Sequence, residues 1–311
     1  MQWADRIDRR FKLRDLRILM MVVECGTMGR AADRLSVSQP VVSKAIADME
    51  HALGVRLLDR SRHGVEPTQY GRALIKRGVA IFDEMRQGIK EIEYLADPTA
   101  GELRVGTTES ITAAIVSPVI NRMSRLYPRM AFHVALGDQA ALYRELSNRN
   151  VELVIARLVT GAPLAENMDA KILFDDCLVV AAGPKNPWTR RRKIELAELV
   201  NEPWVLMPQE SLSGSLTAEA FRATGLAPPR PTVSSSSVNL RNELFATGRF
   251  LTTVPRFSLM LPRKHPLLKA LPVELPNTRL PIAIFTVKNR SLSAIAQLFL
   301  DRIRAVTKPL A

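Results

Sequence analysis

Gln39, Ser43, Lys44 and Asp48 bring together an amide, a hydroxyl, a cation and a carboxylate within ten residues. On the outer side of a helix, a Gln amide can read an adenine edge, and a Lys can reach guanine or a phosphate. A second group of donors follows at Arg60, Arg62 and His63, a basic cluster suited to phosphates or a minor groove. Bond-breaking chemistry has no comparable constellation. The four histidines, 51, 63, 133 and 265, are scattered, no HExxH, GxSxG or Walker A pattern occurs, and no carboxylate pair stands out from the surface ones. The expectation is a chain without catalytic residues, cofactor or metal site.

Such side chains need rigid elements behind them. In AADRLSVSQPVVSKAIADME, residues 31–50, an apolar helical pattern (Ala31, Ala32, Leu35) stops at SVSQP and resumes with Val42, Ile46, Met49 and Leu53. Ser38 is suited to an N-cap, and Pro40 falls in the first turn, where its missing N–H removes no helical bond. The turn of about three residues forces a sharp crossing, and the small Ala31 and Ala32 permit close approach: a helix-turn-helix. An ordinary helical hairpin with a solvated face has the same local pattern, so the flanks decide. Upstream, Leu13, Leu16, Leu19, Met20 and Val23 repeat at helical spacing up to Gly26, a third helix. Downstream, GVRLLDRSRHGVEPTQYG predicts a two-stranded wing with the basic cluster at its tip.

AADRLSVSQPVVSKAIADMEHALGVRLLDRSRHGVEPTQYG resembles, nearly position by position, the helix-turn-helix and wing of the LysR-type transcriptional regulators. The resemblance implies that Gln39, Pro40, Ser43 and Lys44 contact DNA and that the wing tip, Arg60, Arg62 and His63, reaches the adjacent minor groove. Lys44 replaces the family's commoner Arg, and His63 also stands where Arg is usual. A Lys lacks the rigid bidentate fork of an arginine, so base preference stays open.

The net charge of +13 divides as +6 over residues 1–77, −3 over 78–97 and +10 over 98–311. Most of the excess thus lies outside the helix-turn-helix, which fits further nonspecific DNA contact, an anionic ligand or a generally basic surface. Cys25 and Cys177 are too few and too far apart for a metal site and fit a reducing compartment. The lead MQWADRIDRRF is charged, with no hydrophobic signal core, and no run of eighteen apolar residues occurs, so no membrane segment and a cytoplasmic location are expected. The first ten or so residues, Trp3 included, predict a frayed extension, with an extra helical turn as the alternative.

Residues 69–96 contain no proline and predict one long helix. Leu74, Gly78, Ile81, Met85, Gly88, Ile92 and Leu95 alternate by four and three, a short heptad seam with two glycines. A helix lying on a core would show similar spacing. The family resemblance, and the two copies that DNA half-sites require, favour a dimerising linker with Leu74, Ile81, Met85 and Ile92 at its seam. The segments expected are a winged helix-turn-helix at 1–68, the linker helix at 69–96 and a hinge at 97–100.

Beyond the hinge, strands and helices alternate. ELRVGT, AFHVALG and VELVIARL read as strands separated by helices, a parallel βαβ arrangement, and a second such unit begins near Lys171. Two α/β lobes joined by two crossings leave a cleft between them, where small molecules bind. The family resemblance implies a periplasmic-binding-protein-like fold that visits lobe one, lobe two and lobe one again, expected here at 101–163 with 272–311 and at 164–271. GRFLTTVP and LPVELPNTRLPIAIFTVKNRSLSAIAQLF further resemble the subgroup typified by the galactose-binding-protein regulator.

Thr107, Thr108, Glu109 and Ser110 open a helix after the first strand, and Ser211, Ser213, Gly214 and Ser215 precede another, both anion-friendly positions; a capping role alone would also explain Ser110. Asp138 and Arg157 end the second and third strands, Arg157 being suited to a carboxylate or phosphate. By family position, Ser110, Asp138, Arg157, Ser213 and Gly214, with Thr108 beside them, are the effector candidates; Ser234–Ser237 fits a simple polar loop but resembles an effector-side loop or hinge of the family. An aromatic content of 5% offers few stacking surfaces, favouring a sugar acid or other small carboxylate over a neutral sugar.

The expected function is a cytoplasmic, sequence-specific DNA-binding regulator, homodimeric or homotetrameric, modulated by a small-molecule effector between its lobes. A solute-binding protein would need an export signal. An architectural DNA-binding protein without an effector response would have no use for two thirds of this chain.

Overall fold

The computed structural model describes residues 12–61, 64–159, 164–260 and 267–310. Arg62, His63 and the lead containing Trp3 lie outside them. The chain divides into two compact units, Met1–Ile89 and Lys90–Ala311.

The first unit is built from α1 (Leu13–Cys25), α2 (Met28–Leu35), α3 (Gln39–Leu53), and an antiparallel wing of β1 (Leu58–Ser61) and β2 (Gly64–Pro67), followed by α4 (Gln69–Ala96). Gly26 ends α1 with φ +73°, a left-handed turn that costs glycine little. Ala31, Ala32, Val42, Ile46 and Met49 are buried with Leu19 and Val22 in one small core. Apolar residues on both sides of the SVSQP break thus serve the same interior. Ser38 takes the N-cap position of α3, but its hydroxyl makes no capping bond there. The turn after α3 is held instead by Glu50, whose carboxylate accepts the N–H groups of Leu57 at 2.7 Å and Leu58 at 3.2 Å. Gly71, near the start of α4, lies so close to the Leu57 carbonyl that a Cβ would stand 2.1 Å from its oxygen.

The second unit contains two five-stranded sheets. Lobe one has the order β4-β3-β5-β12-β6, from β3 (Ala100–Thr107), β4 (Arg129–Leu136), β5 (Leu153–Arg157), β6 (Met168–Asp176) and β12 (Leu280–Val287). Lobe two has the order β11-β7-β10-β8-β9, from β7 (Leu178–Ala182), β8 (Trp204–Leu206), β9 (Pro231–Ser234), β10 (Leu251–Pro255) and β11 (Lys269–Ala270). Between β3 and β4, α5 starts as Glu109–Ile111, widens to a π turn over Thr112–Val116 and continues as Ser117–Leu126. The other helices are α6 (Gln139–Ser147), α7 (Leu212–Ala223), α8 (Val238–Ala246), α9 (Phe257–Met260) and α10 (Ala294–Thr307). Lobe one packs α5 and α10 on its sheet through Ile115, Val119, Phe299 and Ile303. Lobe two centres on Trp204, edge-on to Phe221, with its indole N–H donating to the Leu199 carbonyl.

The lobe boundaries differ from those expected. β6 belongs to lobe one, pairing with β12 from Met168 to Asp176, so the first crossing is at Cys177 rather than at 163/164. The second falls near Thr278 rather than 271/272, because Leu271 and Leu275 pack in the lobe-two core. ILFDDCLVVAA carries neither glycine nor proline, and only Cys177 separates the end of β6 from the start of β7, so nothing local marks the boundary. The two crossings are bonded: the Leu178 N–H donates to the buried Thr278 hydroxyl at 3.2 Å.

Candidate functional site

Helix α3 leaves Gln39, Pro40, Lys44 and Asp48 exposed, while Val42, Ala45, Ile46 and Met49 are buried. Ser43 is half-buried between the two faces. The outer face thus offers an amide and an ammonium on a helix whose inner face is fixed by packing, as base-edge reading requires. Arg60 is exposed on β1, opposite Val65 of the wing.

In lobe one, β3, β4 and β5 are parallel, and β6 runs the same way because both it and β5 are antiparallel to β12. β6 ends at the crossing, so the carboxyl ends of β3 and β5 share that edge. In lobe two, β8, β9 and β10 are parallel, and the end of β10, Pro255, pairs with Leu178 immediately after the crossing. The carboxyl edges of both sheets therefore meet the crossings, where open α/β sheets place their ligands. The starts of α5, α7 and α8 follow β3, β8 and β9 on these edges.

The candidate residues fare differently there. Thr108 occupies the N-cap position of α5 without a side-chain cap bond. Ser110 is half-buried in the first turn and, not being the cap, keeps its hydroxyl available. Ser213 lies in the first turn of α7, whose cap is Ser211, accepting the Gly214 N–H at 3.1 Å. Gly214 therefore has no free donor. It serves packing, since a Cβ would stand 2.1 Å from the Pro208 carbonyl oxygen. Asp138 caps α6 by accepting the Ala141 N–H at 2.7 Å. Its strand β4 is four strands from the crossing strand β6, about 19 Å away at ~4.8 Å per strand. Ser237 caps α8.

Arg157 requires the largest correction. It is 7% exposed, and its guanidinium is ion-paired with Asp176, itself 6% exposed. The other Asp176 oxygen accepts the Phe257 N–H at 2.9 Å. Phe257 packs edge-on against Phe174 in the lobe-one core, so the start of α9 is fastened to lobe one immediately after β10. Burial pushes the Asp176 carboxyl above its ordinary value of 3.8, opposed by the charge of Arg157 and by the N–H groups it accepts. Burial also lowers Arg157, against the attraction of Asp176. Arg157 thus holds the crossing together and presents no free charge to a ligand.

Arg241, on α8, was not singled out from the sequence. It is half-buried and lies within reach of the charge of Glu109 on the opposite lobe. The available signal was its place one turn after Ser237, in a helix opening from the end of β9.

A family model described as the LysR substrate binding domain matches residues 96–308, and another, the bacterial regulatory helix-turn-helix protein of the lysR family, matches residues 13–72. The chain belongs to the LysR family of transcriptional regulators. It is similar to the regulator GbpR of Azospirillum brasilense, 29% identical over 299 residues, covering 96% of this chain and 87% of the relative. The dual regulator GltC of Bacillus subtilis is 26% identical over 304 residues, covering 93% and 95%. Full-length OxyR of Pseudomonas aeruginosa shares the fold at a TM-score of 0.68 and 22% identity, covering 97% of this chain and 98% of that one. Full-length CbnR, solved with its target DNA, aligns at 0.53 and 20% identity, covering 95% and 99%. This LysR-type regulator joins a helix-turn-helix DNA-binding unit to an effector-binding domain, and its relatives are transcription factors, not enzymes. Among the described residues, no helix is long and apolar enough to cross a membrane.

Proposed function

We propose that this LysR-type regulator acts in the cytoplasm as a homo-oligomer paired through α4, reads its operator with α3 and the wing, and binds a small carboxylate or sugar acid between its lobes. The observation that carries the effector reading is the meeting of the carboxyl edges of both sheets at the crossings, with the hydroxyls of Thr108, Ser110 and Ser213, at helix starts on those edges, making no hydrogen bond among the described residues. Helix N-termini supply N–H donors there, and hydroxyls suit a polyhydroxylated acid. Mechanistically this is linkage: an effector that favours one lobe arrangement shifts the spacing or angle of the paired DNA-binding units, and DNA in turn shifts effector affinity by the same factor.

The DNA-reading role has a direct test. On duplexes selected by the wild-type protein from a random pool, Gln39→Ala is expected to cost about 1–3 kcal/mol and to relax the preference at one base position. Lys44→Ala, removing a phosphate contact, is expected to weaken selected and random duplexes alike and to lower the salt slope by about one. Titrations at several salt concentrations separate the two effects. Unchanged binding by both variants would remove α3 as the reader.

A further inference from the structure

Arg241 lies in the first half of α8. Its Nε is shut off from solvent and has no hydrogen-bond partner among the described residues. A guanidinium carries five donors in a fixed fork, and a buried donor left unsatisfied is costly unless another group completes it. α8 opens from the carboxyl end of β9, on the lobe-two edge that meets the crossings. Glu109 is the first residue of α5, on the corresponding edge of lobe one, and is exposed. The two make no ion pair, but the Glu109 charge acts on Arg241, opposing the downward push that burial exerts on the guanidinium. The side chain nonetheless stays a cation at any physiological pH.

A half-buried cation with an unfilled donor and an exposed carboxylate thus stand on the two sheet edges that meet at the crossings. Resting on the interlobe effector site proposed above, we infer that Arg241 is the residue that makes this site select anions. A carboxylate of the effector completes its fork, and Glu109 is the competing charge that the effector must outweigh. The hydroxyls of Ser110 and Ser213 then hold the remainder of the molecule, so that Arg241 sets the charge class and the serines the hydroxyl pattern. The anion-holding role foreseen for Arg157 passes to Arg241, which, unlike Arg157, has no resident counter-ion in contact.

The test uses the full-length protein and calorimetry at constant ionic strength. Gluconate, lactate and malate are the anionic probes, with glucose and glycerol as neutral counterparts. At least one carboxylate is expected to bind the wild type in preference to the neutral probes, with affinity reduced at least tenfold in Arg241→Gln and partly retained in Arg241→Lys. Glu109→Gln removes the competitor and is expected to tighten binding several-fold. Melting curves of each variant show that the fold is intact, and the opposite signs at positions 109 and 241 are not what a general loss of structure produces. Equal carboxylate affinity in wild type and Arg241→Gln overturns the inference, as does failure of every form, Glu109→Gln included, to bind any carboxylate. Ser213→Asp separates the two levels of argument. If it blocks binding while Arg241→Gln does not, only the role of Arg241 falls; if neither matters, the interlobe site falls with it.

Discussion

Arg157→Ala is expected to destabilise the effector-binding domain by about 3–5 kcal/mol, because it leaves Asp176 ionised in a site closed to water and without its counter-charge. Asp176 accepts from Arg157 on one oxygen and from the Phe257 N–H on the other, at the point where β6 leaves lobe one. The variant should loosen both the crossing and the docking of α9. Denaturant unfolding of the full chain, followed through the effector-domain transition, measures the loss. Arg157→Met with Asp176→Asn, which removes both charges, should recover most of it, since a buried ion pair contributes little beyond an apolar pair of similar volume. The pH dependence has a definite sign. Asp176 is raised above 3.8 in the folded chain, so the folded state binds its proton more tightly than the unfolded chain. The stability linked to that proton is fully present below 3.8 and is lost as pH rises through the folded value. Removing Arg157 raises the folded value further, so the deficit of Arg157→Ala relative to wild type should shrink as pH falls from neutrality towards the carboxyl range. A loss below about 1 kcal/mol, independent of pH, would mean that the pair does not hold the crossing.

The second large effect is expected on α4. Ile81, Met85, Ile89, Ile92 and Leu95 are exposed on this helix, Ile92 at 68% and Leu95 at 75%, and their near-heptad spacing makes a stripe suited to a second copy. The upper part of the seam drawn from sequence is used differently. Leu74 packs against the core of the DNA-binding unit, and Gly78 lies against Leu16 and Met20, where a Cβ would stand about 3 Å from both. Ile89, outside the expected seam, takes the place of Gly88. Ile92→Asp and Met85→Asp should each place an unpaired carboxylate between paired helices, costing several kcal/mol unless the copies separate. Light scattering should then record monomers in place of wild-type dimers or tetramers. Operator affinity should fall with it, because two half-sites would no longer be held by one particle. A monomeric wild type, or variants that keep their dimers, would exclude α4 as the pairing helix.

Features encoded within a few residues were legible in the sequence. Pro40 after a polar cap position, Gly26 after an apolar stripe and twenty-eight residues without proline set the helix ends, because capping, φ restriction and missing N–H groups act locally. The same holds for the exposed Gln39 and Lys44, since burying Val42, Ile46 and Met49 forces the opposite face outward. The effector site depends on encounters between distant segments. Arg157 at a strand end reads as a free cation until the fold brings it to Asp176, nineteen residues on and across β12. Arg241 reads as an ordinary helix-surface charge until the fold of lobe two buries its Nε without a partner among the described residues. The lobe boundary at Cys177 likewise escaped notice because one extended stretch serves two sheets. Backbone propensity is the same on either side of it, and only pairing with β12 before it and β10 after it decides which core each half joins. Local chemistry therefore determined the helices and the exposed face of α3, whereas tertiary structure decided which charges neutralise one another, because electrostatic pairing depends on distance in space rather than along the chain.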